Sequence, residues 1–205
     1  MKNPLRYQIT EYDCGPTSIF NALTFLFERE EIPPEVIRNI MLYSLDSVNE
    51  KGQSGRLGTS AFAMSFLASW LDGVGKAGLL PVSSRFISGR QVSLKAGSAV
   101  ADAISRNGVA VLRVISDVGH YVLLTSLDEH EAMIFDPYRR SDDFFMEGAR
   151  REEDIFSHNF AVERSLFERK GFERYSLGPV EDREAVLMFN ENTKIKNEAL
   201  VEYMI

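Results

Sequence analysis

Val109-Ala-Val-Leu-Arg-Val-Ile-Ser116, Tyr121-Val-Leu-Leu-Thr-Ser-Leu127 and Ala132-Met-Ile-Phe135 are short β-branched or apolar runs in close succession. Asp117-Val-Gly119 and Asp128-Glu-His130-Glu131 separate them. Connections this short join antiparallel neighbours, whereas parallel strands need a crossover of about a dozen residues or more. The stretch therefore predicts an antiparallel meander. What precedes it is mostly helical, and helices followed by an antiparallel sheet give the α+β class.

Upstream, Ile19, Phe20, Leu23, Phe25, Leu26 and Phe27 follow a helical period over residues 17–27, and Pro16 suits the opening of that helix, where a missing N–H has no intrahelical partner. A second helix starts at Pro33-Pro34 and carries Val36, Ile37, Ile40 and Met41 on one side. Residues 46–58, with Gly52, Gly55 and Gly58 among charged and small residues, read as a surface loop. Thr59 or Ser60 then caps a third helix through Phe62, Phe66, Leu67, Trp70 and Leu71, with Gly73 and Gly75 as its stop. Residues 79–87 read as a strand, and a helix from Ser93 or Leu94 to Asn107 is stopped by Gly108. Downstream, residues 138–169 form a less regular charged segment, 172–177 and 184–189 read as two more strands, and 191–205 as a polar tail. The chain carries neither a repeat nor a low-complexity tract, so residues 1–205 are expected to form a single domain.

Composition narrows the function. A chain of 205 residues that is 44% hydrophobic and 26% charged buries a substantial core, and its net charge of −7 argues against affinity built on neutralising phosphates. Nucleic acid is not an expected partner. The first residues contain no apolar signal-like run, and no segment approaches the roughly 18 apolar residues of a membrane span. A cytoplasmic location is expected. A single cysteine makes neither an internal disulfide nor a multi-cysteine zinc site.

That cysteine lies in Gln8-Ile-Thr-Glu-Tyr-Asp-Cys14-Gly-Pro-Thr-Ser18, just before the first helix. The first turn of a helix presents unpaired N–H groups and the positive end of the dipole, which favour a thiolate. His120 opens the central run of the meander and Asp136 closes the next, in Phe135-Asp136-Pro137-Tyr138. A turn centred near residue 129 sets His120 opposite residue 138, with Asp136 two positions from that partner; a one-residue change of centre improves the register. Together the groups make an acyl-transfer site. Cys14 attacks a carbonyl, His120 moves the proton, Asp136 orients the imidazole, and Gln8 supplies an N–H to the oxyanion.

Plainer readings stand beside this one. A lone cysteine is commonly a core residue, Asp-Pro favours turns, and a glutamine near the start of a chain is usually exposed. His130 falls in a hairpin loop and His158 in the charged segment, neither with a role. A metal held by Cys14, His120 and Asp136 is chemically allowed. Acyl transfer is preferred because it also accounts for Gln8.

Gln8 through Ser18, Gly119-His120-Tyr-Val-Leu-Leu and Phe135-Asp136-Pro137 resemble the cysteine, histidine and aspartate boxes of the C39 and C39-like cysteine peptidases of the papain-like clan. The resemblance spans residues 8–138. It implies a papain-like fold, with helices carrying the cysteine packed on an antiparallel sheet carrying histidine and aspartate. It also implies Cys14 as nucleophile, His120 as base and acid, Asp136 as orienting group and Gln8 as oxyanion donor, with no cofactor and no metal. Exporter-fused relatives carry membrane spans and an ATPase. Here Gly75-Lys76 lacks the upstream glycine of a phosphate loop, so a stand-alone hydrolase is the closer likeness.

Three functions follow as expectations. The first is a peptidase acting through a thioester, the second acyl transfer or amide hydrolysis on a small molecule, and the third peptide binding without cleavage. The sequence leaves substrate and oligomeric state open.

Overall fold

The computed structural model describes residues 1–141 and 143–196, so residues 197–205 of the expected tail lie outside it. Helices α1 (Cys14–Leu26), α2 (Pro34–Ser44) and α3 (Ala61–Lys76) come first, then strand β1 (Val82–Ser88) and helix α4 (Ala99–Ser105). The meander follows as β2 (Val109–Ser116), β3 (Val118–Leu127) and β4 (Glu131–Phe135). Next come β5 (Ala149–Asp154), β6 (His158–Glu163), the short α5 (Arg164–Phe167) and β7 (Glu184–Asn190). The strands form one seven-stranded antiparallel sheet in the order β1-β7-β2-β3-β4-β6-β5. The class is α+β.

Side chains on a strand alternate between faces, and here both faces of the sheet are covered. Val109 and Val111 of β2 pack with Ile19, Leu23, Ile40, Met64 and Leu67 of the first three helices. Ala110, Leu112 and Val114 pack on the opposite face with Val100, Ala103, Phe167 and Tyr175. This double burial is why β2 reads as an almost unbroken apolar run rather than an alternating one. Helix α1 is buried from Cys14 through Thr24, so it is an interior helix and not an amphipathic cover.

The N-terminal arm ties α1 to the far side of the sheet. The Asn21 side chain accepts from the Arg6 N–H and donates to the Arg6 carbonyl, both at 2.9 Å. The Leu5 N–H donates to the Ile155 carbonyl at 2.7 Å, and the Gln8 N–H to that of Pro137 at 2.8 Å.

Several expectations change. Helix α1 starts at Cys14 and not at residue 17, because the Asp13 carbonyl accepts from the Thr17 N–H at 3.0 Å; Pro16 is its third residue, still within the turn whose N–H groups have no helical partner. Ser60 caps α3 as expected, accepting from the Ala63 N–H, but the helix runs through Gly73 and Gly75 to Lys76. Gly75 is a packing glycine, since a Cβ there would lie 1.8 Å from the Val82 carbonyl oxygen. Helix α4 is shorter than expected and is capped by Ser98. Residues 138–169 contain the β5–β6 hairpin and α5, hidden by the charged edge sequence Ala149-Arg-Arg-Glu-Glu-Asp154. Residues 172–177 form turns and bends around Tyr175, whose φ is 63°, and not a strand. Among the described residues no helix is long and apolar enough to cross a membrane.

Gly75→Ala should destabilise the fold by about 3 kcal/mol, because backbone and not a flexible side chain occupies the space. Urea unfolding measures this. An unchanged midpoint would mean that the α3–β1 contact yields easily.

Candidate active site

Cys14 is the first residue of α1 and is 9% exposed. The helix is fastened to β3 one turn further on, where the Ser18 hydroxyl donates to the Tyr121 carbonyl at 3.0 Å. Tyr121 follows His120, so this bond brings the start of α1 beside the start of β3. Cys14 is among the groups that raise the His120 imidazole, so the two side chains are neighbours. Gly15 lets segment 58–60 close over this turn, since a Cβ would lie 2.6 Å from Thr59 Oγ1. At Gly119, before the histidine, a Cβ would come within 2.4 Å of the Arg113 guanidinium, the far end of a flexible side chain.

His120 Nε2 lies 2.7 Å from Asp136 Oδ1, which leaves Nδ1 as the ring nitrogen for Cys14. On the site side of the β3–β4 hairpin, Leu123 pairs with Phe135 and Leu124 with Ile134, the register of a turn centred near residue 129. The one-residue change of centre that would set His120 opposite Asp136 does not occur; the only shift is of opposite sense, beyond a bulge between Leu124 and Ser126. His120 and Asp136 therefore meet as diagonal neighbours, within reach of two polar side chains.

Asp136 is fully buried, and donors converge on it from several segments. Besides His120, Oδ1 accepts from the Tyr138 N–H at 2.9 Å. Oδ2 accepts from Arg140 Nε at 3.1 Å, Arg140 Nη2 at 2.9 Å and the Tyr175 hydroxyl at 2.9 Å. The Asn159 side chain clamps the Asp136 backbone, accepting from its N–H at 2.7 Å and donating to its carbonyl at 2.8 Å. Burial works to raise the Asp136 carboxyl, but His120, then Arg140 and the Tyr138 N–H, bring it down to about 2. Burial likewise works to lower the His120 imidazole; the Asp136 carboxylate foremost, and Cys14 after it, raise it to about 9. The pair is imidazolium and carboxylate across the neutral range.

Gln8 is brought to the site from the arm by its backbone bond to Pro137, next to Asp136. Its Nε2 donates to the Thr10 carbonyl at 2.6 Å, using one of two amide N–H groups. Among the described residues, Gln8 Oε1 and Thr59 Oγ1 are the buried side-chain polar atoms without a hydrogen-bond partner. Both belong to segments that flank the first turn of α1. Asp13 braces the intervening loop, accepting from the Ile9 N–H at 3.0 Å and from the Thr10 N–H at 2.6 Å. Burial opposes its charge, but the Thr10 hydroxyl and these N–H groups hold its carboxyl below the usual range.

Tyr138, Arg140, Asn159 and Tyr175 escaped the sequence reading. Tyr138 and Arg140, two and four residues past Asp136, were within local reach; nothing in the sequence connects Asp136 with Tyr175. A further buried group was also missed: the Tyr121 hydroxyl donates to Glu184, and Arg113 lies 3.6 Å from the same carboxyl. Burial raises the Glu184 carboxyl, and burial followed by Glu184 pushes the Tyr121 phenol well above its ordinary value. His130 is exposed, and His158 bonds Glu152 at 2.6 Å, away from Asp136. Among the described residues no group of three or more His, Cys, Asp or Glu side chains is arranged to hold a metal ion.

No protein-family model matches the chain, and a search of curated proteins finds none with significant similarity.

The buried pair makes stability pH-dependent at both ends. Asp136, lowered in the fold, contributes fully above its unfolded value of 3.8 and loses that contribution as pH falls through about 2. His120, raised in the fold, contributes fully below 6.5 and loses it as pH rises through about 9. Urea unfolding against pH should show wild-type stability declining between those two basic-side values, and His120→Gln should remove that decline. Parallel curves for the two proteins would contradict the pairing.

Proposed function

We propose that the chain is a papain-like cysteine hydrolase that cleaves an amide bond, most simply a peptide bond, through a thioester on Cys14. One observation carries the reading: the His120 imidazole has Nε2 on the buried Asp136 carboxylate at 2.7 Å, which leaves Nδ1 for Cys14, one of the groups that raise it. The C39-like likeness of the three sequence boxes agrees with it. So does the architecture, in which an interior helix carrying the cysteine packs on an antiparallel sheet carrying the histidine and aspartate.

In this mechanism the Cys14 thiolate, paired with the His120 imidazolium, attacks the carbonyl carbon. The Cys14 backbone N–H, one of the first-turn groups without a helical partner, and the second Gln8 amide N–H receive the oxyanion. His120 Nδ1 protonates the departing amine as the carbon–nitrogen bond breaks, which leaves the acyl group on sulfur. A water, deprotonated by the same nitrogen, then attacks the thioester and frees the acid. Asp136 holds its proton count throughout and keeps the ring in one orientation.

A peptide library incubated with the protein should yield cleavage products, together with a Cys14 acyl adduct trapped by acid quench and mass spectrometry. Cys14→Ala should abolish both, and Gln8→Ala should lower kcat by about 10²–10³-fold. Iodoacetamide should alkylate Cys14 faster than it alkylates a free thiol, and His120→Gln should slow that reaction about tenfold or more. Cleavage that survives Cys14→Ala, or alkylation indifferent to His120, would refute the mechanism.

A further inference from the structure

A concavity of about 360 Å³ lies between Tyr7 of the N-terminal arm and the residues around Arg140 and Phe160. We infer that it binds a small organic monocarboxylate with an apolar body, an inference independent of the acyl-transfer reading. Its volume falls within the roughly 300–1,000 Å³ of small-molecule sites.

One wall is apolar and aromatic. Tyr7 of the arm and Phe135 at the end of β4 pack with ring centroids 5.3 Å apart and 40° between their planes, and Phe160 of β6 completes the surface. The lining is also cationic, with Arg139, Arg140 and Arg151. Charge balance selects the ligand. Arg140 is neutralised by Asp136 and also donates to Ser116 at 2.9 Å, Arg151 is engaged over the Phe160 ring and by the Ser141 carbonyl at 2.6 Å, and His158 is engaged by Glu152. Arg139 makes no hydrogen bond or ion pair among the described residues, yet its side chain lines the cavity. The Arg139 guanidinium, in a lining that also holds aromatic rings, matches one carboxylate on a ring or alkyl chain. A phosphate dianion would bring surplus negative charge close to Glu152.

Isothermal titration of the full chain with phenylacetate tests this, with 2-phenylethanol as the uncharged counterpart and phenyl phosphate as the dianion. Phenylacetate should bind one-to-one with a Kd of about 1–5 mM, the range open to a ligand of about ten heavy atoms. The alcohol should bind at least about tenfold more weakly, and Arg139→Ala should weaken phenylacetate by a similar factor. Arg139 is exposed and bonded to nothing described, so that variant should fold normally. Cys14→Ala should leave phenylacetate binding unchanged, which separates this cavity from the catalytic cleft. Four results would overturn the inference: no saturable binding up to about 20 mM, equal binding by Arg139→Ala, tighter binding of phenyl phosphate, or loss of binding in Cys14→Ala.

Discussion

The carboxylate of Asp136 is the constraint around which the rest is arranged. A fully buried charge is costly unless it is paired and its lone pairs are filled. Here the donors are supplied from β3 through His120, from the loop after β4 through Tyr138 and Arg140, and from the 172–177 segment through Tyr175. Those elements are far apart in the chain, and one carboxylate holds them together. Breaking a buried pair of this kind by removing one partner commonly costs about 3–5 kcal/mol, most of it from the charge left behind. The same arrangement fixes the imidazole through Nε2, so structural satisfaction of Asp136 and orientation of His120 are one event.

The position of Cys14 depends on a second, apolar constraint. Helix α1 is buried almost all round, so its register against the sheet is set by packing, with the Ser18–Tyr121 bond as a local lock. Since Cys14 is the first residue of that helix, the packing fixes the sulfur relative to His120. The arm, bonded to Asn21 on one side and Pro137 on the other, then has little freedom in where it presents Gln8.

The two features adjoining the site serve different ends. Tyr121, Glu184 and Arg113 satisfy one another on the α1 face of the sheet, which leaves no bare charge there. The cavity beside the N-terminal arm instead leaves Arg139 without an anion in a lining that also holds aromatic side chains. Arg140 belongs to both the cavity wall and the Asp136 network, so an occupant would lie one side chain from Asp136.

The local features were legible in the sequence because local chemistry causes them. Helices at residues 14–26, 34–44 and 61–76, the Ser60 cap, the β2–β3–β4 meander and the meeting of His120 with Asp136 all follow from periodicity, capping and hairpin geometry. Patterns failed where solvent or tertiary packing overrode them. The charged β5 edge reads as a solvated run although it pairs with β6, Gly75 reads as a stop although it is a contact, and residues 172–177 read as a strand although Tyr175 turns inward to Asp136. The sequence by itself determined which residues carry chemistry and which neighbours a hairpin would give them. Only the tertiary structure decided that β7 enters between β1 and β2, that Arg140 and Tyr175 complete the Asp136 network, and that the Gln8 backbone is tied to Pro137 beside Asp136. These are contacts between residues distant in the chain, selected by burial and charge satisfaction over the whole fold, and no local pattern encodes them.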